Sequence, residues 1–70
     1  MGLTFIEKVL QLKSLGYDVY LRSHEDYIDI RLVKNGRTIC RAIDEYEFQQ
    51  SKISSDQIMV ETLDYLVERV

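Results

Sequence analysis

The chain has 70 residues, 46% hydrophobic and 30% charged, with no proline and a net charge of -3, the size and composition of one small globular domain over residues 1 to 70. At roughly 1.5 kcal/mol of conformational entropy per ordered residue, so short a chain must commit its apolar side chains to a single core, which leaves little room for a buried catalytic pocket. One cysteine, Cys40, and one histidine, His24, exclude an internal disulfide and a zinc knuckle, so no metal and no cofactor are expected.

Thr4-Phe5-Ile6-Glu7 has the pattern of a capping box, with Thr4 accepting a backbone N-H three residues on and Glu7 reaching back to the Thr4 amide. It predicts a helix from Phe5. Phe5, Ile6, Val9, Leu10, Leu12 and Leu15 recur at three- and four-residue spacings and form one broad apolar stripe, with Glu7, Lys8, Gln11 and Ser14 opposite. Gly16 can take the left-handed conformation that closes a helix in a Schellman ending, with Tyr17 packing back on Leu12.

From Tyr17 the period drops to two. Tyr17, Val19 and Leu21 point one way and Asp18, Tyr20 and Arg22 the other, as in a half-buried strand. Ser23-His24-Glu25-Asp26 is turn-prone, and a second alternating run sets Ile28, Ile30 and Leu32 against Tyr27, Asp29, Arg31 and Val33. Asn35-Gly36 then marks a hairpin into a third strand, Arg37 to Ile43. A two-residue loop there would pair Ile30 with Arg41 and place a charge in the apolar face. A three-residue loop, Lys34-Asn35-Gly36 with a bulge at Gly36, pairs Ile30 with Cys40, Ile28 with Ala42 and Asp29 with Arg41, and is the expected register.

Asp44-Glu45-Tyr46-Glu47 repeats the capping pattern, flanked by Ile43 and Phe48 at the spacing of a hydrophobic staple. It predicts a short helix from Glu45 to about Ser51. Ser54, with Gln57 as its reciprocal partner, caps a last helix from Ser55 to about Arg69, whose seam is Met59, Leu63, Leu66 and Val70. The predicted fold class is α+β, in the order α-β-β-β-α-α, with a three-stranded antiparallel sheet carrying its helices on one face.

No apolar run approaches the ~20 residues of a bilayer span and no signal peptide is visible, so no membrane partner and a cytoplasmic location are expected. With His24 in a turn and Cys40 expected in the core, the pair does not make a thiol catalyst. No phosphate loop, paired carboxylates or metal-ligand cluster appears, so no catalytic residues are assigned.

The expected outer sheet face is more informative. It would carry Tyr20 and Arg22, then Tyr27, Asp29, Arg31 and Val33, then Arg37, Ile39, Arg41 and Ile43, and tyrosine with arginine is the composition of binding hot spots. Tyr20, Arg22, Tyr27, Arg31, Ile39, Arg41 and Ile43 are therefore the candidate partner-binding residues, for a protein partner or for a second copy in a homodimer. Nucleic acid is disfavoured by the acidic balance, with a pI near 5.0, and by Asp18 and Asp29 in the same face. The order α-β-β-β-α is also that of double-stranded-RNA-binding domains, but their last helix opens with lysines where this chain has Ser54-Ser55-Asp56-Gln57.

Charge is unevenly spread: residues 1 to 43 carry a net +2 and residues 44 to 70 a net -5. Asp44, Glu45 and Glu47, with Glu61, Asp64 and Glu68 at helical spacing, form an alternative acidic surface suited to a basic groove on another protein. The succession of the amphipathic helix from Phe5 to Leu15, the strand Tyr17-Asp18-Val19-Tyr20-Leu21-Arg22-Ser23, the run from Ile28 to Val33, the Asn35-Gly36 turn and a helical end resembles small phage-encoded proteins. In layout it is similar to acidic type II anti-CRISPR inhibitors. That resemblance implies a non-enzymatic inhibitor in the host-cell cytoplasm that covers the DNA-binding groove of an RNA-guided nuclease.

Overall fold

In a computed structural model, which describes residues 2 to 70, α1 (Phe5–Ser14) leads into β1 (Asp18–Ser23), β2 (Tyr27–Lys34) and β3 (Arg37–Asp44), followed by α2 (Glu45–Gln50) and α3 (Ser55–Val67). The strands form one open antiparallel sheet in the order β1-β2-β3, and the α+β class and element order are those read from the sequence.

The helix ends form where local chemistry places them. The Thr4 hydroxyl accepts the Glu7 N-H at 3.2 Å and the Glu7 carboxylate accepts the Thr4 N-H at 2.9 Å, completing the first capping box. Gly16, at φ 93°, donates to the Lys13 carbonyl and Tyr17 to the Leu12 carbonyl, which are the two bonds of a Schellman ending. Asp44 and Glu47 make the second box at 2.8 and 3.1 Å. Ser54 caps α3 through the Gln57 N-H at 3.1 Å, without the reciprocal bond expected of Gln57.

Leu12 of α1, Ile30 and Leu32 of β2, Ile43 of β3 and Leu63 and Leu66 of α3 form the buried core between the sheet and the helices. Thr62 is also buried, and its hydroxyl donates to the Ile58 carbonyl one turn back. The broad stripe of α1 is only partly used. Phe5, Val9 and Leu12 pack inward, while Ile6, Leu10 and Leu15 stay exposed.

The β2–β3 hairpin departs from the expected register. Asn35 at φ 52° and Gly36 at φ 76° form a two-residue loop with positive φ at both positions, so Lys34 faces Arg37, Leu32 faces Ile39, Ile30 faces Arg41 and Ile28 faces Ile43. Every side chain of β3 is therefore on the opposite face from the one predicted. Cys40 is exposed rather than buried, and Asp29 faces Ala42 instead of Arg41.

Two effects decide this outcome. It brings Ile43 to 1% exposure and Ile39 to the edge of the core, and a fully buried isoleucine is worth roughly 1.5–3 kcal/mol, more than a thiol or a methyl in the same place. The feared cost, Arg41 on the apolar face, is avoided because β3 is an edge strand. The Arg41 guanidinium leaves the core past the rim of the sheet, lying 5.0 Å from the Tyr65 ring centroid and 3.4 Å from the Glu47 carboxylate.

Candidate interaction surface

Because directly opposed residues share a face, the register puts Asp18, Tyr20 and Arg22 of β1 beside Tyr27, Asp29, Arg31 and Val33 of β2 and Thr38, Cys40 and Ala42 of β3. The helices pack on the other side, where Ile30, Leu32 and Ile43 are buried. Tyr20 stands opposite Arg31 and Arg22 opposite Asp29, and these four line a shallow groove of about 120 Å³. Tyr20, Arg22, Tyr27 and Arg31 are all exposed.

The structure thus gathers four of the seven predicted partner-binding residues. Ile39, Arg41 and Ile43 belong to the helix-bearing face instead, a correction that follows from the two-residue loop. Their place on the outer face is taken by Thr38, Cys40 and Ala42, which makes the third strand smaller and less charged there than expected.

The acidic residues have varied employment. Asp44 and Glu47 cap α2, and Glu47 also pairs with Arg41. Glu45 accepts from the Gln49 amide at 3.0 Å, and Asp64 holds Lys8 of α1 at 2.7 Å. Glu61 and Glu68 are exposed, with Glu68 3.8 Å from Arg69. Tyr65 lies between two guanidinium groups, Arg69 at 3.6 Å and Arg41 at 5.0 Å from its centroid, so this helix flank is not uniformly negative.

A larger cleft of about 470 Å³ opens between the β1–β2 turn and α2, with Ile28 and Phe48 among its lining and Glu25, Asp26 and Glu45 at its polar positions. The His24 ring stacks on Tyr27 at 4.1 Å, and the Glu45 N-H donates to the Asp26 carbonyl, tying the turn to the helix. Sequence periodicity could not reveal this cleft, which joins segments twenty residues apart. His24 sits at this turn, while Cys40 lies mid-strand on the far edge of the sheet opposite Arg31, so the fold does not bring the two together.

Among the described residues no helix is long and apolar enough to cross a membrane, and no group of three or more His, Cys, Asp or Glu side chains is placed to hold a metal ion. Comparison with protein families, with curated proteins and with solved structures finds no match for this chain.

Proposed function

We propose that this chain is a non-enzymatic protein-interaction module that engages a protein partner through the outer face of its sheet. The observation that carries the reading is a whole sheet face that none of the described residues covers as a layer, on which exposed Tyr20, Tyr27, Arg22 and Arg31 stand together. Rigid aromatic rings lose little entropy on binding, and a strand-borne guanidinium offers a planar fork to a carboxylate. Arg31 forms no ion pair among the described residues. The fitting partner presents a carboxylate to Arg31 and apolar area to the tyrosines.

The inhibitor reading suggested by the anti-CRISPR-like layout draws less support, because Asp44, Glu45, Glu47 and Asp64 already direct their carboxylates to partners within the chain. A single-stranded nucleic acid would meet Asp18 and Asp29 on the same face as the tyrosines. The test is affinity capture from the source cell with the wild-type chain, the Tyr27→Ala/Arg31→Ala variant and an Arg41→Ala control. The outer-face variant should lose the captured protein while keeping its circular dichroism spectrum, and the control should keep it. Retention by the outer-face variant would falsify the reading.

A further inference from the structure

Among the described residues the open edge of β1 and the flank of α1 above it are unpartnered in the same place, and on the helix-bearing side both carry exposed apolar side chains. On a helix of 3.6 residues per turn, Lys8 projects to one side of the inward-packed row of Phe5, Val9 and buried Leu12, and Ile6 and Leu10 project to the other. Lys8 reaches Asp64 of α3, so Ile6 and Leu10 occupy the flank turned away from α3, toward the β1 edge, at 67% and 61% exposure. Leu21 of β1, on the helix-bearing side of the sheet, is 45% exposed.

The backbone of that edge is free to bond. The His24 N-H donates to the Tyr27 carbonyl at 2.8 Å, which marks 24 opposite 27 as a hydrogen-bonded pair. Alternation along an antiparallel ladder then assigns the β2-facing groups to Arg22, Tyr20 and Asp18. Val19, Leu21 and Ser23 therefore direct their N-H and C=O groups outward, away from β2.

We propose that a second copy of this chain covers this surface, pairing β1 with β1 in antiparallel fashion about a two-fold axis through Tyr20. The occupant is identified by charge complementarity. In this register Asp18 opposes Arg22 of the second copy and Arg22 opposes its Asp18, Tyr20 meets its own counterpart, and Val19 opposes Leu21. Val19 and Leu21 then exchange their free backbone hydrogen bonds across the axis, while the Asp18–Arg22 and Tyr20 pairs take the non-hydrogen-bonded positions where side chains approach closest. The two three-stranded sheets become one six-stranded sheet with both α1 helices side by side on one face, burying Ile6 and Leu10 against each other.

The other sheet edge lacks this self-complementarity. On β3 the arginines Arg37 and Arg41 lie on the helix-bearing face and Asp44 on the outer one, so no antiparallel self-register opposes unlike charges, and the arginines guard the edge. Dimerisation through β1 draws Tyr20 and Arg22, two of the four residues lining the outer-face groove, to the dimer seam and leaves Asp29 and Arg31 of β2 outside it. Leu10 lies on α1, away from that groove, so Leu10→Lys tests the dimer without altering the partner-binding face. The dimer would present two copies of that groove on one continuous surface.

Sedimentation equilibrium of the full chain tests the proposal. The wild type should show a concentration-dependent species of about twice the 8.3 kDa chain mass. Asp18→Arg and Arg22→Asp, each placing like charges opposite each other twice in the dimer, should each weaken it about tenfold or more. Mixing the two variants should restore a heterodimer, since each chain then opposes unlike charges. Leu10→Lys, at an exposed helix position, should also dissociate the dimer and covers the case in which a strand variant fails to fold. A wild type that stays monomeric, or a dimer that both Asp18→Arg and Leu10→Lys leave intact, overturns the proposal. A mixture that remains monomeric overturns the register through Tyr20.

Discussion

Both carboxylate oxygens of Asp56 lie 3.1 Å from the backbone nitrogen of Phe5, joining the first turn of α3 to the first turn of α1 across 51 residues of sequence. Phe5 opens α1, so its N-H is one of the four that have no partner inside the helix. Asp56 satisfies it from a position where a negative charge also suits the N-terminal dipoles of both helices. With Lys8 bound to Asp64 one helical stretch further on, the pair α1–α3 is pinned at two points above the sheet.

Removing the first of these should weaken the whole domain. The contact is partly buried and charge-assisted, so Asp56→Ala is expected to cost about 1–3 kcal/mol, and Asp56→Asn less because the amide oxygen can still accept. For a domain of this size, with a total stability of about 4–10 kcal/mol, such a loss is easily read. Urea unfolding should show a lower midpoint with an unchanged slope. An unchanged midpoint would mean that water replaces the carboxylate without cost.

The first capping box should make α1 acid-sensitive. The Thr4 N-H, and after it the Thr4 hydroxyl, hold the Glu7 carboxyl below its ordinary value of 4.5. A group with a lowered folded pKa contributes its stability in full above the unfolded value and loses it as the pH falls through the folded one. The α1 N-terminus should therefore fray only below pH 4.5. Glu7→Gln should remove that component of the acid transition, as followed by the amide signals of Thr4 and Glu7 in an NMR titration. A Glu7 midpoint at or above the ordinary value would contradict the bonded geometry.

How far the sequence revealed this fold depends on the range of the interaction concerned. Thr4 with Glu7, Asp44 with Glu47, and Gly16 with Lys13 are all within four residues, so their side-chain types announce the helix ends directly. The Asp56–Phe5 bond has no such local pattern. The α1 stripe was visible, but its width concealed two uses: Phe5, Val9 and Leu12 fill the core, and Ile6 and Leu10 face outward. A stripe spanning more of the helix than one sheet can cover is itself a signal that part of it remains unpartnered. On the candidate surface, the residues of β1 and β2 were placed on the right face because both strands follow simple alternation. Those of β3 were not, since their face depends on whether the Asn35-Gly36 loop has two residues or three. The preference of Asn-Gly for a turn with two positive φ values is the stronger signal, and Arg41 does not oppose it because an edge strand lets its guanidinium reach solvent.

The register of β3 makes a prediction that separates the two arrangements sharply. Ile43 is 1% exposed among the core residues, so Ile43→Ala should cost about 2–5 kcal/mol, enough to unfold much of a domain this small. Were Ile43 on the outer face, the same change would cost almost nothing. Cys40 should behave in the opposite way: exposed in mid-strand, its thiol should react with an aromatic disulfide reagent in native buffer without prior unfolding, whereas a thiol beneath the helices would wait for the chain to open. Gly36→Ala should destabilise the hairpin by about 1–2 kcal/mol, because a Cβ at φ 76° is strained even though the space around it is open. Slow native thiol labelling together with a mild Ile43→Ala phenotype would place β3 in the bulged register. It would also return Arg41 to the partner-binding face.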